Sequence, residues 1–135
     1  MNGRGTQYWI MKAESDLKTG KDEFATVSPA TDAVCFHMQQ CVEKYLKAFI
    51  IFNKKEIRKT HDITELIELC TAIEPDFNNL YQIKADRLTE YAIELRYPSE
   101  ILFPSLDESR QAIEIAEKVK VFVLNKLKNQ GFIGL

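Results

Sequence analysis

An arginine and a tyrosine stand directly before a proline, in the segment Arg96-Tyr97-Pro98. The planar guanidinium of an arginine suits phosphate oxygens and developing negative charge. A tyrosine hydroxyl at the same place could donate a hydrogen bond or transfer a proton. Arg96 and Tyr97 are therefore candidate catalytic residues, and Arg96 is also a candidate phosphate contact. The alternative is that Arg96, at a predicted helix end, pairs with the helix dipole or an acidic side chain.

Both histidines of the chain precede that arginine. His37 lies on a predicted helix face with Gln40, Lys44 and Lys47. Because a metal site needs more convergent ligands than this face supplies, we expect neither a metal nor a cofactor. His61 is a titratable group beside a basic segment, so His61 and Lys47 are candidate phosphate contacts, and His37 a further candidate ligand contact. A purely structural role for His61, in fastening the end of a loop, is the alternative.

Charge is unevenly distributed along a chain whose formal net charge is only −2. Residues 44–59 contain six basic side chains and one acidic side chain, whereas residues 60–79 contain five acidic side chains and no basic one. A local positive segment can attract phosphate. The same lysines could instead complement the helix dipole and their acidic neighbours. Because the net charge of the chain is close to zero, it provides no general attraction to nucleic acid or anionic membranes.

The elements that must position these residues are helices, because apolar residues recur every three or four positions. With 45% apolar and 28% charged residues, the 135-residue chain has the composition of one globular domain. We expect an all-α, up-and-down bundle of about five helices, with a core at about 6–128 and a loose tail at 129–135. The predicted helices cover about 6–25, 29–53, a shorter segment opened by Asp62-x-x-Glu65, 77–95, and a last helix opened by Ser105-x-x-Glu108 that runs to about 128.

Two expectations concern helix starts, and one concerns assembly. Thr6 is predicted to cap the first helix, and Ser28-Pro29 to open the second. The last helix is apolar on nearly all sides, so it needs cover from two directions. A second copy of the chain could supply that cover, which predicts a homodimer. The alternative is that the last helix is central within a single chain.

The cysteines and the absence of a long apolar run bear on location. Cys35, Cys41 and Cys70 lie in apolar-periodic segments without a CxxC pair, which predicts buried thiols in a reducing compartment. Lysines interrupt the best candidate for a membrane span, and the start of the chain lacks a signal-peptide pattern. We therefore expect a cytoplasmic protein without a membrane span.

Four motifs together resemble the HEPN domain family. They occur in the order expected for that family and span about residues 9–98. The motifs are Trp9-x-x-x-Ala13-x-x-Asp16-Leu17, Phe36-x-x-Gln39-Gln40-x-x-Glu43-Lys44-x-Leu46-Lys47-Ala48, Thr60-His61-Asp62-Ile63-x-x-Leu66 and Arg96-Tyr97-Pro98.

The resemblance implies a small helical bundle, commonly dimeric, that occurs alone or beside a minimal nucleotidyltransferase in toxin–antitoxin-like pairs. Some members of the wider superfamily are metal-independent ribonucleases, and others have been proposed to bind nucleotides. On this basis Arg96 and Tyr97 would line a groove near a dimer axis. Lys47, His61, His37 and Glu43 would belong to the ligand-binding set.

One departure from the family pattern separates the functional hypotheses. Ribonuclease members carry a histidine a few residues after the arginine, whereas Ile101, Leu102 and Phe103 occupy the corresponding positions here. The leading hypothesis is therefore a module that binds a nucleotide or a nucleotidyltransferase partner. A metal-independent endoribonuclease that uses Tyr97 or His61 for proton transfer is the enzyme alternative. A purely structural helical dimer is the third.

Overall fold

The computed structural model describes residues 3–92 and 103–134, and the described part is entirely helical. It contains four α-helices: α1 (Arg4–Phe24), α2 (Thr31–Phe52), α3 (Ile63–Ile73) and α4 (Leu106–Asn129). Two short 3-10 segments, Pro75–Tyr81 and Ala85–Tyr91, follow α3. No strand occurs in these ranges, so the predicted all-α class is confirmed.

Helix α2 is the centre of the bundle. It packs against α1, α3, α4 and the second 3-10 segment. Because neighbours surround it, 14 of its 22 residues are buried, which is the pattern of a helix enclosed on several sides. Most of the buried residues are apolar, but Gln39, Glu43 and Lys47 are also buried within it. A polar group in such a position must find a partner inside the protein.

The starts of α1 and α2 differ from the expectation. Helix α1 begins before Thr6, after Gly3, and Thr6 is a buried residue within it. Helix α2 follows Ala30, so Ser28-Pro29 lies in the preceding connection and does not open the helix. The Ala30 amide donates instead to the Glu23 carboxylate, at 2.9 Å. The Glu23 carboxylate at the end of α1 therefore accepts a hydrogen bond at the start of α2, where Ser28 was the predicted cap.

The predicted fourth helix at 77–95 is wrong within the described residues. Lys84 adopts the left-handed conformation (φ 64°) and separates the two 3-10 segments. Each segment is held by contacts to the carbonyl three residues back, such as Phe77 N to Glu74 O at 3.1 Å. Leu80, Leu88 and Tyr91 are buried as predicted, because apolar spacing alone does not distinguish an α-helix from successive 3-10 turns.

The caps of α3 and α4 follow the predicted motifs to different degrees. At α4, the Ser105 hydroxyl accepts from the Glu108 amide (3.0 Å) and the Glu108 carboxylate accepts from the Ser105 amide (2.9 Å), so the capping box is confirmed. At α3, Asp62 caps the helix by accepting from the Thr64 amide at 2.9 Å. The Glu65 carboxylate is paired with Arg58.

The segment after α4 is more ordered than the expected loose tail. The Phe132 amide donates to the Leu127 carbonyl at 3.0 Å. The Phe132 ring is buried and meets Phe52 edge-on, with ring centroids 5.5 Å apart. Asn53 and Gln130 also exchange side-chain hydrogen bonds across the same end of the bundle. An aromatic anchor and an amide pair thus hold this segment against the end of α2.

Most apolar side chains of α4 are covered within one chain. Ala112, Ala116, Val119 and Val123 are among its buried residues, whereas Val121 is 58% exposed. Much of the cover that a second copy was expected to supply therefore comes from the chain itself. The homodimer stays a prediction.

Candidate functional site

Of the buried carboxylates and lysines in the described residues, the most deeply buried is a carboxylate on α2. Glu43 is 3% exposed, and its two oxygens contact a lysine ammonium and a histidine ring. Lys47 Nζ lies 2.7 Å from Oε2, and His61 Nδ1 lies 2.9 Å from Oε1. Gln39 Nε2 donates both to Oε1 and to the His61 carbonyl, each at 3.1 Å. We call Glu43, Lys47, His61 and Gln39 the Glu43 cluster.

The local sequence explains why these groups meet. Gln39, Glu43 and Lys47 are four residues apart, so they lie above one another on one face of α2. His61 comes from the loop that leads into α3. That loop is fixed because the Asp62 amide donates to the Thr60 hydroxyl at 3.1 Å, while Asp62 caps the helix. The Glu43 cluster therefore joins the central helix to the start of α3.

A second carboxylate, on α1, has the same two kinds of partner. Asp16 Oδ1 lies 2.8 Å from His37 Nδ1, and Asp16 Oδ2 lies 2.5 Å from Lys44 Nζ. The exposed fractions of the three side chains are 12% for Asp16, 29% for His37 and 17% for Lys44. We call these three residues the Asp16 cluster. It joins α1 to α2, whereas the Glu43 cluster joins α2 to the loop before α3.

The two clusters are neighbours on the polar face of α2. Gln40, which is partly exposed, donates to Gln39 Oε1 at 2.7 Å and belongs to the same face. The Lys47 ammonium of the Glu43 cluster lies above the Trp9 ring, 5.5 Å from its centre, which is within the range of a cation–π interaction. At the surface end of the Glu43 cluster, the His61 side chain is 35% exposed.

The contacts also determine what the imidazoles can do. An ionised carboxylate only accepts hydrogen bonds, so the Nδ1 atoms of His37 and His61 carry the protons that they donate. A carboxylate at Nδ1 orients the ring and fixes its tautomer. The two carboxylates and the two lysines cancel in formal charge, and an imidazole N–H is a donor from which an anion can accept.

Neither the cysteine nor the tyrosine beside these clusters is an activated nucleophile. Burial raises the pKa of the Cys41 thiol far above its usual range, and the negative charge of Asp16 adds to the effect. Burial likewise raises the pKa of Tyr45, whose hydroxyl donates to the Glu14 carboxylate at 2.9 Å. Both groups stay protonated at neutral pH, so the reactive thiolate is not available. Cys41 and Tyr45 therefore supply no nucleophile to this face.

The structure brings together only part of the predicted site. Glu43, Lys47 and His61 meet in one cluster, and His37 lies in the other. Arg96 and Tyr97 lie outside the described residues. Asp16 and Lys44 were not among the predicted site residues, although both stand in the motifs of the sequence. The signal that could have identified them is the presence of one carboxylate, one histidine and one lysine in helices predicted to be adjacent.

Residues 3–92 and 103–134 contain neither a group of side chains that could hold a metal ion nor a helix that could span a membrane. This part of the chain contains no group of three or more His, Cys, Asp or Glu side chains that could hold a metal ion. Within the same ranges, no helix combines the length and the apolar character that crossing a membrane requires.

The fold and this face define a small helical bundle that carries paired ionisable groups on its central helix. The model of the HEPN domain matches residues 6–127, so the chain belongs to the HEPN family and the resemblance is confirmed. The structure is similar to that of ST0689, an archaeal HEPN homologue (24% identity, 90% of this chain and 97% of that one covered, TM-score 0.71). It is also similar to that of TT1696 from Thermus thermophilus (23% identity, 90% and 98% covered, TM-score 0.72). No curated protein matches the sequence.

Proposed function

We propose that this protein is a cytoplasmic HEPN binding module that recognises a nucleotide through the polar face of α2. The observation that carries the proposal is the Glu43 carboxylate, buried between Lys47 and the partly exposed His61. Burying an ion pair is costly, and apolar residues of similar volume often give equal or greater stability. A buried pair that ends in an accessible imidazole is better explained by recognition than by packing.

The groups of the face are compatible with a phosphate. Its carboxylates and lysines cancel in formal charge, so no net negative charge repels an anion. A phosphate oxygen could then accept from His61 at the edge of the Glu43 cluster. Arg96, which the sequence predicts as a further phosphate contact, would add a bidentate contact. The proposal therefore concerns the phosphate end of the nucleotide rather than its base.

Thermal shift measurements with ATP and GTP test the proposal. A ligand that prefers the folded state raises the unfolding midpoint. At a free concentration of a hundred times its dissociation constant, it adds about 2.7 kcal/mol to the free energy of unfolding. We expect a shift for the wild type and a loss of about tenfold or more in affinity for His61→Ala, since a charged hydrogen bond contributes about 1.5–3 kcal/mol. Lys128→Ala, at an exposed lysine near the end of α4, is the matched control and should bind like the wild type.

The result that contradicts the proposal is equally clear. No shift with either nucleotide at millimolar concentration, or an equal shift for His61→Ala and the wild type, would remove this face from consideration. Calorimetric titration of the same variants would check that the loss is one of binding. Circular dichroism would check that His61→Ala folds like the wild type.

The same proposal includes two protein partners. We propose a homodimer, and a minimal nucleotidyltransferase as the second protein of a toxin–antitoxin-like pair, because both are common in the family. Sedimentation equilibrium of the purified chain tests the first. Co-expression with a nucleotidyltransferase encoded in a neighbouring reading frame, followed by purification through a tag on one protein only, tests the second. A monomer at all concentrations, or no co-purification, would contradict the respective part.

A metal-independent endoribonuclease is the second candidate, and one observation favours it. The Glu43–His61 contact orients an imidazole in the way that general acid–base catalysis uses. His61 could therefore supply the proton transfer for which no histidine follows Arg96. RNA incubated with the protein in chelator tests this, with Arg96→Ala and His61→Ala as variants. Cleavage lost in both variants supports the enzyme, no cleavage by the wild type rejects it, and equal cleavage by all three identifies a contaminant.

A further inference from the structure

A concave site lies between α2 and α3, beside the loop that joins them. It encloses about 770 Å³ between the end of α2, the loop that follows it, and α3. Its apolar lining consists of aliphatic side chains from all three elements, namely Ile50, Ile57, Leu69, Ala72 and Ile73. None of its lining residues belongs to the Glu43 or the Asp16 cluster. We call this site the α3 groove.

The rim of the α3 groove is basic. Lys55 and Lys59 line it and are exposed, and neither forms an ion pair within the described residues. Arg58, also on the rim, is paired with Glu65 at 2.9 Å, and Glu56 is the acidic residue of the lining. The basic side chains of the lining outnumber the acidic one by three to one, so the mouth of this apolar cavity carries a net positive charge.

The backbone that leads into this rim is strained. Lys54 adopts the left-handed conformation (φ 59°), and the Lys55 amide reaches back to the Ile50 carbonyl at 3.2 Å. This is the geometry of a helix end at which glycine is the favoured residue. A side chain there costs free energy that glycine would avoid. Lys84, between the two 3-10 segments, adopts the same conformation, so the strain at Lys54 concerns how α2 ends.

The lining decides which class of ligand fits. A volume of this size is typical of small-molecule sites, which are mostly apolar with a few placed polar groups. Within residues 3–92 and 103–134 no aromatic side chain lines the groove, so these residues offer no stacking surface of the kind that a nucleobase prefers. Lysine ammonium groups are compact charges that suit a terminal carboxylate. We propose that the α3 groove binds a free aliphatic carboxylate, with the chain against the α3 side chains and the carboxylate between Lys55 and Lys59.

Calorimetric titration of the full chain with decanoate, below its micelle concentration, tests the proposal. We expect saturable binding of one molecule per chain. Affinity should rise two- to fourfold per methylene from octanoate to decanoate, since each buried methylene contributes favourably. Butyrate should bind negligibly because it lacks the chain, and decyltrimethylammonium because it carries the opposite charge.

Two variants localise the site. The Lys55→Gln/Lys59→Gln pair should weaken decanoate binding three- to tenfold, which is the scale of two exposed charge contacts. Ala72→Phe fills the groove from an exposed position of α3 and should abolish binding. The matched control Lys12→Gln/Lys128→Gln removes the same charge from exposed positions elsewhere and should bind like the wild type.

The outcomes separate cleanly. No saturable binding of decanoate at millimolar concentration overturns the proposal. So does equal binding of decyltrimethylammonium, or binding that Ala72→Phe leaves unchanged, since either would mean non-specific apolar adsorption. Unfolding midpoints of all variants are measured alongside, and a variant that does not fold is replaced by Ala72→Leu, which narrows the same groove with a smaller side chain.

Discussion

The Glu43 and Asp16 clusters contain the same three kinds of side chain, yet they differ in depth and in what they join. In the Glu43 cluster the carboxylate and the lysine are both almost fully buried. In the Asp16 cluster all three side chains retain some access to water. Only the Glu43 carboxylate has a further neutral donor, the Gln39 amide. The same chemistry should therefore have different energetic consequences at two places on one helix.

We therefore expect burial, rather than the identity of the partners, to determine how much free energy is lost when an ion pair is broken. A buried charge that loses its partner cannot be rehydrated, so breaking the pair is strongly destabilising. A partly exposed charge can turn to water, so breaking its pair costs much less. The pair between Arg58 and Glu65, which is more exposed still, provides a third point on the same scale.

The largest effect is expected for Glu43→Ala. This substitution leaves the Lys47 ammonium buried without its carboxylate and should lower the free energy of unfolding by about 3–5 kcal/mol. Urea unfolding followed by circular dichroism measures the loss. A loss below about 1 kcal/mol would mean that water already reaches this pair, and the contrast between the clusters would disappear.

A double substitution separates the structural role of the pair from its functional role. Glu43→Leu/Lys47→Leu removes both charges together and should recover stability to within about 1–2 kcal/mol of the wild type, because no unpaired charge remains. The nucleotide-dependent thermal shift should nevertheless be lost, since His61 then has no carboxylate to hold it. Retained nucleotide binding in this variant would show that the ligand does not use the Glu43 cluster.

A smaller effect is expected for Asp16→Ala. His37 and Lys44 can each reach water after the carboxylate is removed, so the loss should be about 1.5–3 kcal/mol, the scale of a hydrogen bond to a charged group. The same urea experiment measures it. A loss as large as that of Glu43→Ala would show that the connection between α1 and α2, rather than burial, determines the cost.

The smallest effect is expected for Arg58→Ala. The hydrogen bond from Arg58 holds the pKa of the Glu65 carboxyl below its usual value. A lowered folded-state pKa stabilises the protein above the usual carboxyl pKa, and that contribution is lost as the pH falls through the lowered value. Removing Arg58 should therefore raise the pKa of Glu65 and reduce stability slightly at pH values above the usual carboxyl pKa. Titration of the Glu65 carboxyl resonance by NMR checks the direction, and an unchanged pKa would contradict it.

The sequence predicted the α-helices better than the segment between α3 and α4. The periods of three and four that predict α2 also bury it, and the serine and glutamate at the start of α4 cap it as expected. The segment at 75–91 could not be predicted, because it consists of 3-10 turns from Pro75 onward and is interrupted by Lys84 in the left-handed conformation. A lysine gives no sequence signal for that conformation, whereas a glycine would have.

The contacts of the candidate site were likewise predictable along one helix but not between separate elements. The spacing of Glu43 and Lys47 along one helix indicates that they are neighbours, and this could be predicted. The contact of Glu43 with His61 crosses 18 residues and requires the loop before α3 to fold back on α2. The pairing of Asp16 with His37 and Lys44 depends on how α1 packs against α2. Such contacts depend on tertiary packing, which no local pattern specifies.

The broken segment after α3 has a consequence for motion. Short 3-10 turns have poorer hydrogen-bond geometry than an α-helix, so their amides should exchange with deuterium sooner than those of α2. The Thr89 hydroxyl in the second turn accepts from the Ile63 amide at 2.9 Å, where α3 begins. Local opening of this turn would therefore release the first residue of α3, two positions after His61. Opening of this turn would then affect how firmly the His61 imidazole is held.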